Sequence, residues 1–172
     1  MKIKRLGLRA VAGVSALVVA SAGVSATGAP RGTTRASFGK VTVTIRYGRP
    51  SLKGRQIRQM IEPGQLWRAG ADAPTTIQSN ADLNFGGIRV PPGKHILILR
   101  YIRPDTWSLV VSKAPAIDYT PDARIAEILM HLEKHQTPTG ELTISVVNAG
   151  GQGKIEIAWG ACRLWGEFTP AH

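Results

Sequence analysis

The chain has 172 residues, with 22 Lys plus Arg against 11 Asp plus Glu and a formal charge of +11. Its 43% hydrophobic and 19% charged composition, with 19 Gly and 11 Pro, is that of one folded, turn-rich globular domain. A disordered tail and a collagen-like repeat are excluded, and coiled coils and helix bundles are disfavoured.

Met1 to Arg9 carries Lys2, Lys4, Arg5 and Arg9 with no acid, and an apolar stretch of small residues follows from Ala10 to Val24. With the ending Val24-Ser25-Ala26, this is the pattern of a secretory signal peptide over residues 1–26, cut after Ala26 or alternatively at Ala20-Ser21-Ala22. Gly13, Ser15, Ser21 and Gly23 dilute the apolar run, which is short for a membrane span. Cysteine is absent near the cut, so a lipid anchor is not expected, and no later stretch is apolar enough to cross a bilayer. The expectation is an exported protein, periplasmic or extracellular. The remaining chain is long enough to bury roughly 68–70% of its extended surface in one core without staples. Cys162, the single cysteine, has no intramolecular partner and reads as a small apolar filler.

From Thr27 to Ile61 stand Arg31, Arg35, Lys40, Arg46, Arg49, Lys53, Arg55 and Arg58, and no acid appears before Glu62. Such asymmetry fits an anionic partner such as phosphates, acidic polysaccharide, lipopolysaccharide or membrane headgroups. The bland alternative spreads these charges over two faces of a strand and a flexible lead. Nucleic acid is not expected, because export removes the protein from it and only Phe38 and Tyr47 offer stacking rings in this stretch.

Residues 27–36 are small, polar and proline-bearing, and read as a flexible N-terminal lead to a single domain over 37–170. In Ser37 to Tyr47, Val41, Val43, Ile45 and Tyr47 alternate with Lys40, Thr42, Thr44 and Arg46, the period of a half-buried strand. After a loop through Lys53-Gly54-Arg55, Ile57, Met60 and Ile61 fit one helical turn. Strand-like segments recur at Leu66 to Arg68, Thr75 to Ser79, Ala81 to Phe85, Ile88 to Val90, His95 to Tyr101 and Trp107 to Ser112. Three more lie at Glu141 to Asn148, Lys154 to Trp159 and Cys162 to Phe168, and Gly- and Pro-rich breaks separate the set. Pro121 to Gln136 fits both a helix and a strand; the reading adopted is a helical turn near Pro121 to Ala126, then a strand that Thr137-Pro138-Thr139-Gly140 turns back. The pattern predicts an all-β fold, an antiparallel β-sandwich, jelly-roll-like or a partly closed barrel, with at most one or two short helical turns.

Tyr47-Gly48-Arg49-Pro50-Ser51-Leu52-Lys53-Gly54-Arg55, followed by Pro63-Gly64-Gln65-Leu66-Trp67-Arg68-Ala69-Gly70-Ala71, closely resembles a bacterial family known as "domain of unknown function twenty-nine eleven". The match continues through Ala81-Asp82-Leu83, Gly86-Gly87, Val90-Pro91-Pro92-Gly93, Trp107 to Lys113, Glu133-Lys134 with Thr137-Pro138, and Ile155 to Gly160. The resemblance implies export from an envelope-bearing bacterium and a compact β-rich domain, with no activity attached. This chain departs from it at Asp72-Ala73-Pro74-Thr75, where relatives usually read Asn-Glu-Ala-Thr. A glutamate that did chemistry there would be lost, or replaced by Asp72. His95 and Ala116-Ile117 also replace aromatic positions of the pattern.

Among chemistries, the Gly-x-Ser-x-Gly elbow of a serine hydrolase is absent after residue 26. Gly150-Gly151-Gln152-Gly153 lacks a following Lys-Ser/Thr pair and reads as a hairpin loop. His131 and His135, four apart, make an incomplete zinc set unless Glu127, Glu133 or His95 joins them, so neither a metal nor a cofactor is expected. The 11 acids are scattered singly and declare no glycosidase pair.

The residues that point to binding are Arg49, Lys53 and Arg55 in one loop and Trp67, Arg68 and Asp72 in the next segment. Arg offers a planar donor fork, Trp an apolar face for a sugar ring, and Asp72 an orienting group or a base. The structural alternative places Trp67 in the core, pairs Arg68 with Asp72 and makes the rest turn chemistry. The sequence thus points to a non-enzymatic exported domain that binds an anionic or glycan-like envelope ligand through Arg49 to Asp72. A hydrolase of envelope material using Asp72 and a histidine, and a protein-docking module, are the alternatives.

Overall fold

The computed structural model describes residues 28–53 and 61–171, and for His135 the backbone alone. The expected signal peptide, the helical turn at Ile57 and Met60, and Arg55 lie outside the described residues.

Ten antiparallel strands form one sheet: β1 Arg31–Phe38, β2 Val41–Gly48, β3 Leu66–Trp67, β4 Thr76–Ser79, β5 Leu83–Phe85, β6 Ile88–Val90, β7 Gly93–Arg103, β8 Thr106–Ser112, β9 Arg124–Ala149 and β10 Gln152–Pro170. The order is β1-β2-β4-β7-β8-β9-β10-β5-β6, with β3 added to β7. The two short 3-10 turns are Ala116–Asp118 and Pro121–Ala123. The fold is the all-β antiparallel sandwich that the alternating pattern predicts. No helix among the described residues is long and apolar enough to cross a membrane.

The sheet folds over on itself so that two layers share one core. Val43 and Ile45 of β2, Leu97 and Leu99 of β7, Leu109 of β8, Leu142 and Ile144 of β9 and Ile155 of β10 are buried in it. Each is every second residue of its strand, because the strand period of two sends one side-chain set to this core; the opposite set is more exposed on β1 and β2, but on β7 and β8 it includes the fully buried Ile98 and Val110. Aromatic contacts tie the layers: Phe168 of β10 lies 5.8 Å from Phe38 and 5.2 Å from Phe85. The gap between β1 and β9 is closed without a ladder. Thr34 Oγ1 accepts from the Val146 backbone N–H at 3.2 Å, and Asn148 Nδ2 donates to the Ser37 carbonyl at 2.9 Å.

Five details correct the sequence reading. Residues 31–36 are not a loose lead but belong to β1, paired along its whole length with β2. Its inward set is Gly32, Thr34, Ala36 and Phe38, and small residues give no apolar signal. The domain therefore begins near Arg31 rather than at 37, and the strand expected over Ser37 to Tyr47 is broken by a two-residue turn between Phe38 and Val41.

Thr137 to Gly140 does not reverse the chain, because β9 runs through. The β9–β10 register jumps from Lys134↔Cys162 to Thr139↔Gly160, so 135–138 are looped out of the ladder. Pro138, which has no N–H to offer, sits in that bulge, where none is needed. The expected strands Lys154 to Trp159 and Cys162 to Phe168 are one strand with an irregularity around Gly160. The helical turn near Pro121 ends at Ala123, and the strand starts at Arg124. The Gly150-Gly151 loop is a hairpin as expected, both residues having positive φ (67° and 98°), the requirement of a mirror-image turn matched to the twist of the strands.

Candidate functional site

The end of β3 and the loop after it carry three of the residues singled out from sequence: Trp67 in the strand, Arg68 and Asp72 in the loop. Ala69 and Asp72 adopt left-handed conformations, with φ of 49° and 59°, which side-chain-bearing residues hold only when their surroundings over-determine them. Here the constraints are visible. The buried Thr75 hydroxyl donates to the Ala69 carbonyl at 2.8 Å, and Arg68 Nη1 donates to the Asp72 carbonyl at 3.0 Å. Asp72 Oδ2 accepts from the Ala29 backbone N–H at 2.7 Å, and Arg31 Nη1 donates to the Ala73 carbonyl at 3.1 Å. Gly48 at the end of β2 lies so close that a Cβ there would stand 2.2 Å from the Ala71 carbonyl oxygen. The Tyr-Gly-Arg-Pro and Trp-Arg-Ala-Gly-Ala stretches are thus two halves of one rigid junction.

That junction forms one side of an open groove of about 510 Å³. Arg68, Asp72 and Pro74 line it from the loop, Leu66 and Trp67 from β3, Ile96 from β7, and Pro115, Ala116 and Ile117 from the start of the first 3-10 turn. Trp67 serves two surfaces at once: it stacks on Trp159 at 5.1 Å with the rings 7° from parallel, and it also lines the groove. Arg68, which is exposed, pairs with Asp72 through the backbone carbonyl rather than the carboxylate. No histidine is among the lining residues.

The other three candidates are elsewhere. Arg49 runs beside β9, where Nη2 pairs with Glu141 Oε2 at 3.1 Å, and the adjoining chain is tied down by Leu52 N–H to the Gly140 carbonyl and Leu142 N–H to the Pro50 carbonyl. Lys53 is exposed in a left-handed turn and lines neither groove nor cleft. Arg55 falls outside the described residues. The structure therefore splits the six: Trp67, Arg68 and Asp72 meet, while Arg49 is drawn to a different strand by an acid 92 positions away in the chain.

A second cleft of about 320 Å³ adjoins the first and shares Pro74 and Ile96 with it. Arg31, Arg46 and Lys94 supply its charge, and Thr44, Thr76 and Gln78 its polar floor. Arg31 and Arg46 belong to the basic run visible in the sequence. Lys94 does not, and only the pairing of β4 with β7 brings it there.

On the outer surface of β7, β8 and β9, Glu127 gathers a network that the sequence does not announce. It accepts from Ser108 Oγ at 2.6 Å, Arg100 Nε at 2.9 Å and Arg124 Nη1 at 2.8 Å, and Arg100 Nη2 also donates to Tyr119 Oη at 3.2 Å. Burial pushes the Glu127 carboxyl up, but the Ser108 and Arg124 hydrogen bonds and the Arg100 charge outweigh it and hold the group below the ordinary glutamate range. Arg124 is raised in turn, first by its hydrogen bond to Glu127. This is a strut that ties β7, β8 and β9 to Tyr119 in the segment before β9.

The histidines stand apart. His95 Nε2 is 2.8 Å from the Pro91 carbonyl, and the His131 ring stacks on Trp165 at 4.0 Å. Among the described residues no three His, Cys, Asp or Glu side chains gather in a metal-ligating group. Cys162 is half-buried and lines a small apolar space of about 20 Å³ with Trp67, Trp107 and Trp159, as a packing residue does.

Fold and groove define a β-sandwich domain with an arginine- and tryptophan-lined surface groove. The family described as Protein of unknown function (DUF2911) matches residues 29–165, and the chain belongs to that family. No curated protein and no solved structure matches it.

Proposed function

We propose that the protein is an exported, non-enzymatic domain that binds an anionic or glycan-like ligand of the bacterial envelope in the groove beside Trp67. The observation that carries this reading is the meeting of Trp67, Arg68 and Asp72 in one rigid wall of an open, mixed apolar and polar groove. A pre-formed concave surface with a few convergent polar groups is where small ligands bind. Export is supported by the basic start and short apolar run of residues 1–26.

A ligand that binds only the native state raises its melting temperature. Melts of the purified protein against envelope polysaccharides, phospholipid headgroups, nucleotides and divalent metals are expected to show a shift with an acidic or sugar ligand. That shift should vanish in Arg68→Ala and survive in Lys53→Ala. A shift equal in both variants, or one seen only with nucleotides or metals, defeats the reading. Recovery of the chain in the exported fraction with its first 26 residues missing tests the localisation.

A further inference from the structure

The basic residues near the N-terminus were open to two placements, spread over both faces of the sheet or gathered on one. The register gathers them. On β1, Arg31 and Arg35 are exposed while Gly32, Thr34 and Ala36 face inward, and on β2 Arg46 is exposed while Ile45 and Tyr47 are buried. Pairing then aligns two rows across the sheet. One runs Thr33, Arg46, Thr76, Ile96 and the next Arg35, Thr44, Gln78, Lys94.

This face carries Arg31, Arg35, Arg46 and Lys94, with Arg100 further along β7, and residues 31–48, 76–79 and 93–103 contain no acid at all. Neither Arg46 nor Lys94 has an ion-pair partner among the described residues. Charges on a sheet edge commonly serve to block edge-to-edge pairing. That accounts for Arg31 and Arg35 on the edge strand β1, but not for Arg46 or Lys94, which sit on interior strands. From strand spacing and rise, those two lie about 12 Å apart between Cα atoms, diagonally across the cleft floor.

We infer that this cleft is an extension of the Trp67 groove, and that the ligand is an acidic glycan chain carrying more than one negative charge. This rests on the groove reading above and names its ligand class. The shared residues Pro74 and Ile96 set the two depressions side by side. Along the pair stand an apolar wall at Trp67, the guanidinium fork of Arg68, then hydroxyl and amide groups of Thr76, Thr44 and Gln78 between Arg46 and Lys94. Hydroxyl and amide groups between fixed cations suit a hydroxyl-rich chain with spaced carboxylates. Both depressions are concave, whereas a flat lipid surface is met by a protruding one, so a polysaccharide is favoured over headgroups.

The test is calorimetric titration with oligogalacturonates, as a disaccharide and as an octasaccharide, of the purified protein and its variants. The octasaccharide is expected to bind more tightly than the disaccharide, and the Arg46→Ala, Lys94→Ala double variant to lose about tenfold for the octasaccharide alone. The charge-keeping pair Arg46→Lys, Lys94→Arg should restore that advantage, and added salt should erode it. Unchanged melting of the double variant confirms that it folds.

If the double variant keeps the full length advantage while Arg68→Ala abolishes disaccharide binding, the extension is wrong and the groove stands. If neither oligomer binds, the acidic-glycan assignment falls, while the groove reading stands or falls on the melting panel above. A neutral octasaccharide that binds equally well, or binding confined to phosphatidylglycerol vesicles, also overturns the acidic-glycan assignment.

Discussion

Glu127 shows how one side chain can hold a surface together. It is a quarter or less exposed, at 20%, and three donors from three separate stretches converge on it. Its carboxyl is held below its ordinary value in the folded state, so its contribution to stability is complete above the unfolded glutamate range, about 4.3, and is lost as pH falls through the folded value. Glu127→Gln keeps the shape and removes the charge. Its melting temperature is expected to fall below that of the parent at neutral pH, and the gap to close on acidification. A gap of the same size at about pH 7 and well below pH 4.3 contradicts this account. None of this was legible beforehand, because Arg100 and Ser108 lie far from Glu127 in the chain and only the β7-β8-β9 register makes them neighbours. Trp67, Arg68 and Asp72 were legible, being close in sequence, at the end of β3 and in the loop that follows it.

At the scale of elements, the outermost strand is the instructive one. β1 has eight residues of strand alternation whose inward members before Phe38 are small, so their burial comes from what covers the strand rather than from their own apolarity. The cover is β9, and the join depends on a side chain. Thr34, 7% exposed, offers its hydroxyl to the Val146 N–H where no strand partner exists. Thr34→Val conserves shape but orphans that donor, a loss of about 1–3 kcal/mol. Denaturant unfolding is expected to register the loss, with faster hydrogen exchange at the Val146 amide, whereas Thr33→Val on the exposed face changes little. Equal stability in the two variants would show that β1 stays seated against β9 without this bond. Alternation read correctly wherever the inward residues were large, as in Val41 to Tyr47. It failed where they were Gly, Thr and Ala, and where Pro138 signalled a turn that the chain makes only as a bulge.

At the scale of the molecule, the separation of charge is the feature that local rules do not require. Ordinary sheet surfaces intersperse both signs, yet the β1-β2-β4-β7 outer face is cationic while acids such as Glu127, Glu133, Glu141, Glu156 and Glu167 stand on β9 and β10. A charged surface meets the molecule through its strongest local potential, not through its net charge. Two double variants with the same change in net charge therefore separate arrangement from total. Arg46→Glu with Lys94→Glu breaks the cationic face; Lys113→Glu with Lys134→Glu removes exposed cations from other parts of the surface. On a polyanionic column the first pair is expected to elute at clearly lower salt than the second, because the first dismantles the patch that docks and the second leaves it intact. Identical elution would mean that retention follows total charge, and that the alignment of Arg46 and Lys94 across the sheet has no consequence for how the protein meets an acidic polymer.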